Sequence, residues 1–268
     1  VMLAFTSTAN AQWSDDFEAY ANNAFLNATI AAPAGIMGQG SWEEWDGGTT
    51  TQTKLKGVAE GAAVRSGTNA IWVRGSSDTI MQFNGNAPAS SNSPGGPYNA
   101  GTWTLGSWMY IPITTTGHKY TSTTDSYWLI QNQYNHGGPY NWSVQCHFTE
   151  ATGMWFSDYD TTSYSGPYVA DAWVEIKAVI DLDLDTLEVF YNGVSQGPSR
   201  PYNGSVSGVG SGLTEIGALD LYANGAADPA SRVYYDDIFL TGGGGGCNSN
   251  STNYCTAGTS ASSCQAFL

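Results

Sequence analysis

Residues 173–193 read Trp173-Val-Glu-Ile-Lys-Ala-Val-Ile-Asp181, then Leu-Asp-Leu-Asp-Thr186, then Leu187-Glu-Val-Phe-Tyr191-Asn192-Gly193. Val174, Ile176, Ala178 and Ile180 alternate with Glu175, Lys177 and Val179, a period of two that an extended chain places on opposite faces. One face of this strand is buried and the other mostly wet, as in an antiparallel sheet with one solvated side. Leu187 to Tyr191 is a second apolar run, and Asn192-Gly193 is a strong turn dipeptide, so the stretch predicts a hairpin. Asp181, Asp183 and Asp185 imitate the start of an EF-hand loop. Thr186 stands where that loop needs Gly and Asn192 where it needs a bidentate Glu, so a hairpin turn decorated with Asp is the better reading.

Runs of the same kind recur at Trp108–Ile113, Tyr127–Gln133, Trp142–Phe148 and Val233–Leu240, separated by Gly, Asn, Pro, Ser and Thr. No long window keeps a 3.6-residue apolar period free of Gly or Pro, which argues against substantial helix. The chain is expected to be all-β. Its 268 residues suit one sandwich domain, since all-β domains often reach this length. That domain is expected over 12–241, followed by a flexible linker at 242–246, a run of five glycines.

Eight basic residues against twenty-three acidic ones give a formal charge of −15, which repels a phosphate backbone and excludes nucleic acid as an expected partner. No stretch approaches the roughly 20 apolar residues that a membrane-spanning helix needs. Val1 to Phe5 are apolar and the small residues after them end in Ala9-Asn10-Ala11, the pattern of a signal-peptide tail with its cleavage site. Residues 1–11 are therefore expected to be a signal remnant and the protein to be secreted. Four cysteines suit an oxidising compartment. Cys247, Cys255 and Cys264 fall in a tail over 247–268 that reads as the start of a further segment, and disulfides are expected there. Cys146 lies in an apolar run and is expected to be a buried small hydrophobe.

Between Tyr127 and Phe148 alternation puts Ser143, Gln145 and His147 on one face and Trp142, Val144, Cys146 and Phe148 on the other, the second set reading as core. Gln131 and Gln133 add amides on the preceding strand, and Tyr134, Asn135, His136 and Tyr140 lie in the connection. Neutral sugars present C–H faces and hydroxyl edges, so a site for them needs an aromatic platform with a few amide donors and acceptors. Trp42 and Trp45, flanking Glu43-Glu44 in an expected loop, are the candidates for exposed aromatics. The ligand-contacting set expected from these considerations is Trp42, Trp45, Gln131, Gln133, Tyr134, His136, Tyr140, Gln145 and His147.

Trp13-Ser-Asp-Asp-Phe-Glu-Ala-Tyr20, the Trp173–Asp181 strand with its Asn192-Gly193 hairpin, and Tyr235-Asp-Asp-Ile-Phe-Leu240 occur in one order. Together they resemble the concanavalin A-like lectin/glucanase superfamily, in its laminin-G-like bacterial branch, over nearly all of residues 12–241. The resemblance implies a jelly roll of two packed antiparallel sheets, with first and last strands adjacent and a concave face that often holds glycans. It also implies a structural Ca²⁺ between the two ends, carried over onto Asp16, Glu18 and Asp237 with Asp236 as substitute; hard oxygen ligands suit that ion. The alternative reading of these carboxylates is a set of solvated edge charges that block sheet aggregation.

Glucanases of this superfamily carry an E-x-D-x-x-E strand whose carboxylates act as nucleophile and acid/base. No such run occurs here. Gln145-Cys146-His147 resembles the Q-x-H strand of alginate lyases of the same fold, but the R-x-E-L-R and Y-x-K-x-G motifs of those enzymes are missing. The leading expectation is a secreted, non-catalytic module that binds a neutral polysaccharide. A glycan-cleaving hydrolase or lyase is the alternative, and a structural or adhesive extracellular domain the second alternative. Further domains beyond the linker are expected partners in the same chain.

Overall fold

The computed structural model describes residues 11–26, 39–45, 53–75, 77–87, 89–113, 125–149, 151–159, 162–206, 212–224 and 232–243. The signal-like segment through Asn10, Gly244–Gly246 and the cysteine-containing tail lie outside them. Two antiparallel sheets form a sandwich, as the strand periodicity predicts. A nine-stranded sheet holds β1 (Ala11–Asp15), β3 (Lys54–Gly57), β4 (Asn69–Arg74), β6 (Thr102–Tyr110), β11 (Trp173–Asp181), β12 (Thr186–Tyr191), β13 (Val194–Ser195), β14 (Arg200–Pro201) and β16 (Arg232–Gly242). A seven-stranded sheet holds β2 (Glu43–Glu44), β5 (Ser77–Gln82), β7 (Asp125–Tyr134), β8 (Tyr140–Thr149), β9 (Met154–Tyr159), β10 (Thr162–Pro167) and β15 (Ala218–Asn224). Strand order is β13-β12-β11-β6-β16-β4-β3 in the first, with β1 on β16 and β14 on β12, and β10-β9-β8-β7-β15-β5-β2 in the second.

The deciding stretch behaves as its pattern dictates. Val174, Ile176, Ala178 and Ile180 of β11 are buried, and β11 pairs with β12 from Ile176↔Tyr191 to Asp181↔Thr186. The Asp-rich connection is a turn: Asp181 Oδ1 accepts from the backbone N–H groups of Asp183 at 3.1 Å and Leu184 at 2.8 Å. Asn192 and Gly193 both have positive φ, 51° and 75°, and turn β12 into β13 through a two-residue loop in which Tyr191 faces Val194.

The ends of the domain are neighbours. β1 runs along β16 with Asp15 opposite Ile238 and Ser14 opposite Phe239, so the adjacency of first and last strands holds. β16 continues through Gly242, opposite Trp103, and the Gly243 N–H still donates to Thr102 O at 3.0 Å. Between the sheets lie Leu55, Ile71, Val73, Leu105, Ile176, Ile180 and Tyr235 from one side and Met81, Trp128, Ile130, Val144, Phe148, Leu219 and Leu221 from the other. Cys146 sits among them, fully buried and unpaired. Burial pushes its thiol up to about 12, so it packs as a hydrophobe.

Candidate functional site

On the seven-stranded sheet, residues alternating with the core set point away from the sandwich, and this outer face gathers the chemistry. One polar pair on it is His147 with Asp158, whose Nδ1 and Oδ2 lie 2.7 Å apart. Gln145 Nε2 donates to the same Oδ2 at 3.1 Å. A carboxylate at Nδ1 orients the imidazole and leaves Nε2 as the nitrogen that can accept a proton or a ligand hydroxyl. Phe156 stacks on His147 with ring centroids 4.6 Å apart, and Tyr127 approaches it at 5.6 Å while itself lying 5.4 Å from Tyr222.

At the other end of the face stands an aromatic group. Trp45 lies 4.5 Å from Tyr140, 5.2 Å from Tyr134 and 5.7 Å from Trp142, centroid to centroid. Trp45, Tyr140 and Trp142 are half-buried, whereas Tyr134 is fully buried beneath them, with Ile80 and Ala218. The expected placement of Trp142 in the core is corrected here, and the cause is a β-bulge. Ile130 pairs with Val144 and Gln131 with Trp142, so Ser143 is the extra residue. The bulge turns Trp142 outward and leaves Ser143 fully buried. Simple alternation cannot foresee such an inserted residue.

Trp42 is a second correction. It is fully buried rather than exposed, packs against Trp13 and Phe17, and donates its indole N–H to Asp15 Oδ2 at 2.9 Å. Glu43 and Glu44, expected in a loop, form β2 against β5. Only Trp45 of the expected tryptophan pair reaches the outer face.

Between the two ends lies a floor of carboxyl and amide groups drawn from separate strands. Glu43 Oε2 accepts from Gln82 Nε2 at 3.0 Å and lies 2.6 Å from His136 Nε2. His136 Nδ1 meets the Tyr134 hydroxyl at 3.2 Å, so the imidazole is held from both sides. Gln131 Nε2 donates to Asp220 Oδ2 at 3.2 Å, and both residues are buried. Asp78 and Asp220 come from the paired strands β5 and β15 and lie near enough for each carboxyl to influence the other. Burial raises Asp78 to about 6; burial and the neighbouring Asp78 hold Asp220 well above its ordinary value. Glu44 is pushed up to about 7, by burial first and the charge of Asp78 second. Glu44 Oε2, Gln131 Oε1 and Asp220 Oδ1 are buried with no hydrogen-bond partner among the described residues. Gln133 lies beyond the bulge near the end of β7, half-buried opposite Asn141.

Of the expected ligand-contacting residues, the structure thus brings Trp45, Tyr134, His136, Tyr140, Gln131, Gln145 and His147 to one sheet face. Gln131 and Tyr134 support that face from beneath, since both are fully buried. Sequence reasoning missed Asp78 and Asp220. Asp220 is a lone Asp inside an otherwise apolar run, Ala218-Leu-Asp-Leu-Tyr222, and a charge there is a signal that could have flagged it; Asp78 follows Ser76-Ser77 at the start of its strand and carries no such signal.

The carboxylates at the chain ends are arranged differently from one another. β1 stops at Asp15 and Phe17 has a positive φ of 62°, so Asp16 and Glu18 lie in a turn. Asp16 Oδ1 accepts from the Glu18 N–H at 3.1 Å. Glu18 accepts from the Thr68 N–H, the Thr68 hydroxyl and the Asn69 N–H at 2.9, 2.8 and 2.7 Å. Asp236 is fully buried and accepts from the N–H groups of Arg65, Ser66 and Asp237; burial raises it to about 7. Asp237 pairs with the Arg65 guanidinium and the Ser66 hydroxyl, and Arg65 also lies 3.8 Å from the Trp108 ring centroid. Asp16, Arg65, Trp108 and Asp237 line one cavity of about 300 Å³. Among the described residues no three His, Cys, Asp or Glu gather closely enough to hold a metal. In this arrangement Arg65 supplies the positive charge between the ends, and a cation there would require it to leave Asp237.

Fold and face together define a two-sheet antiparallel sandwich with an aromatic and carboxyl-rich outer sheet. No protein-family model matches the chain, and no curated protein matches it. Among solved structures, it is similar to the receptor-binding domain of botulinum neurotoxin D, at 10% identity over 71% of this chain and 44% of that one, with a TM-score of 0.40. It is similar to the binding domain of botulinum neurotoxin serotype G, at 13% identity over 72% and 44%, TM-score 0.37. A Trypanosoma rangeli sialidase in complex with a difluoro-nononic acid matches at 10% identity over 82% and 34%, TM-score 0.44. The chain spans less than half the length of each of these structures.

Proposed function

We propose that this is an exported glycan-binding domain of concanavalin A-like type, which holds a neutral polysaccharide on the outer face of the seven-stranded sheet. One observation carries the reading: the half-exposed Trp45, Tyr140 and Trp142 with His136 at one end of the face, and the half-buried Gln145 and His147 at the other, stand on one outer sheet surface over the buried amides of Gln82 and Gln131. Rings give apolar faces to sugar C–H groups, and amides and imidazoles give directional partners to hydroxyls. The clamped pairs Glu43–His136 and Asp158–His147 fix those partners in place before a ligand arrives, which lowers the ordering cost of binding. Retention of the purified chain on a panel of insoluble neutral polysaccharides tests the proposal. Retention on at least one supports it; retention on none overturns it.

A second reading, glycan cleavage, is favoured by the carboxyl groups Glu44, Asp78 and Asp220. Glu44, raised to about 7, is partly protonated near neutrality and is suited to donate a proton to a leaving oxygen. Asp78 and Asp220 are likewise raised, chiefly by burial, which favours their protonated forms. Release of reducing ends or unsaturated products during the same incubations separates cleavage from binding alone.

A further inference from the structure

Four of the eight Lys and Arg residues of this strongly acidic chain meet on the opposite side of the sandwich, on the outer face of the nine-stranded sheet. Lys54 and Lys56 belong to β3, Arg74 to β4 and Arg232 to β16, three adjacent strands. Trp72 is their centre. It sits directly across from Lys54 on one side and Tyr234 on the other. The Lys56 ammonium lies 4.6 Å and the Arg232 guanidinium 3.4 Å from its ring centroid. Arg74 and Arg232 are a directly opposed cross-strand pair of like charges, a placement that destabilises a sheet.

The crowding is felt by its members. Lys56 is held below its ordinary pKa by burial, then by the charge of Lys54, with Arg232 and Arg74 adding to it and Glu60 acting against. The Lys56 ammonium donates to Asn23 Oδ1, a neutral group. Arg74 Nε is buried with no hydrogen-bond partner among the described residues. Beside the cations, Phe25 is 46% exposed and its ring lies 4.7 Å from the Lys54 ammonium. Half of the cations of a protein with net charge −15 thus lie on one patch, where Glu60 is the acidic group that acts on Lys56. At physiological salt the screening length is about 8 Å, so a bound anion responds to this patch more than to the distant acidic residues.

We infer that this face is a second binding site, for a polysaccharide bearing sulfate or carboxylate groups. The half-exposed Lys54, Arg74 and Arg232 take the acidic substituents, the buried Lys56 adds its charge from beneath, and the exposed Phe25 ring takes a sugar face. Trp72, only 7% exposed, is too covered to stack nucleobases and serves to hold the cations apart. The site is independent of the neutral-glycan face, which lies on the other sheet and uses none of these residues.

Affinity electrophoresis and titration calorimetry of the full chain test the inference, with dextran sulfate and polygalacturonate as acidic probes and dextran as the neutral control. The parent should bind an acidic probe, with affinity that falls steeply as salt rises. The double variant Lys56→Gln/Arg232→Gln should bind at least about tenfold more weakly, and its slope of log affinity against log salt should be smaller by between about one and two. Melting temperature monitors folding of the variant, and the single variant Lys54→Gln, altered at a half-exposed position, should by itself lower acidic-probe affinity. Lys177→Gln, which removes a cation paired with Glu175 elsewhere, should bind as the parent does. Failure of the parent to bind either acidic probe at low salt overturns the inference. So do equal binding by parent and both patch variants, equal binding of dextran, and tighter retention by duplex DNA or phosphatidylserine vesicles than by the acidic polysaccharides.

Discussion

Trp45 stacks on Trp142 with ring centroids 5.7 Å apart and planes inclined by 23°. The contact ties the short strand β2 to the bulge in β8 and completes an aromatic surface at one end of the outer sheet face. Two residues remote in sequence thereby become one shelf, flanked by the buried carboxyl and amide groups of the sheet.

Replacing Trp45 by Ala should weaken polysaccharide binding by about 1–2 kcal/mol, roughly five- to thirtyfold, because aromatic anchors carry a large share of binding energy. Trp45 is half-exposed, so the variant should melt close to the parent. Calorimetry with the retained polysaccharide, together with a thermal melt, checks both halves of this expectation.

Trp42→Ala should act in the opposite way. Its indole is fully buried and satisfies Asp15 Oδ2, so truncation leaves a cavity and removes a donor from a buried carboxyl group. A loss of roughly 3–5 kcal/mol is expected from chemical denaturation. A loss below about 1 kcal/mol would contradict the placement of Trp42 in the core.

Stability should depend on pH through the carboxyl floor. Glu44 and Asp78 are raised to about 7 and about 6 and Asp220 is raised as well, all chiefly by burial. A carboxyl group with a raised folded-state pKa contributes stability that is complete below its ordinary value and is lost as pH rises through the folded value. Asp220→Asn should therefore reduce the fall in melting temperature between pH 5 and pH 8 relative to the parent. Parallel curves for the two proteins would show that the floor does not titrate in this way.

Much of the sandwich was legible because burial imposes a period of two. Val174 to Ile180 carry that period without interruption, and Asn192-Gly193 supplies the positive φ angles that its hairpin needs. The bulge at Ser143 was not legible, since one inserted residue changes which side chains face outward while leaving composition untouched. Trp42 and Trp45 look alike in sequence; only the burial of Asp15, which needs the Trp42 indole, separates their fates. The floor was hidden for another reason. Glu44, Asp78 and Asp220 come from β2, β5 and β15, and no local spacing relates residues that meet only through the strand order β15-β5-β2.

Any calcium binding between the chain ends would have to compete with Arg65, whose guanidinium is paired with Asp237 in the cavity that Asp16 also lines. Millimolar calcium should raise the melting temperature of Arg65→Gln more than that of the parent, by about 2–4 °C if the ion adds about 1 kcal/mol. Equal shifts in both proteins, measured against a chelator control, would remove Asp237 from any calcium site.

The most direct measurement is a chemical-shift map of the labelled chain titrated with a soluble oligosaccharide of the polysaccharide that retains it. Perturbations are expected at the Trp45 indole and the side-chain signals of Gln82, Gln145, His136 and His147, with the core indole of Trp42 unchanged. Perturbations confined to the nine-stranded sheet, with the Trp45 and His147 signals unmoved at saturation, would contradict that expectation.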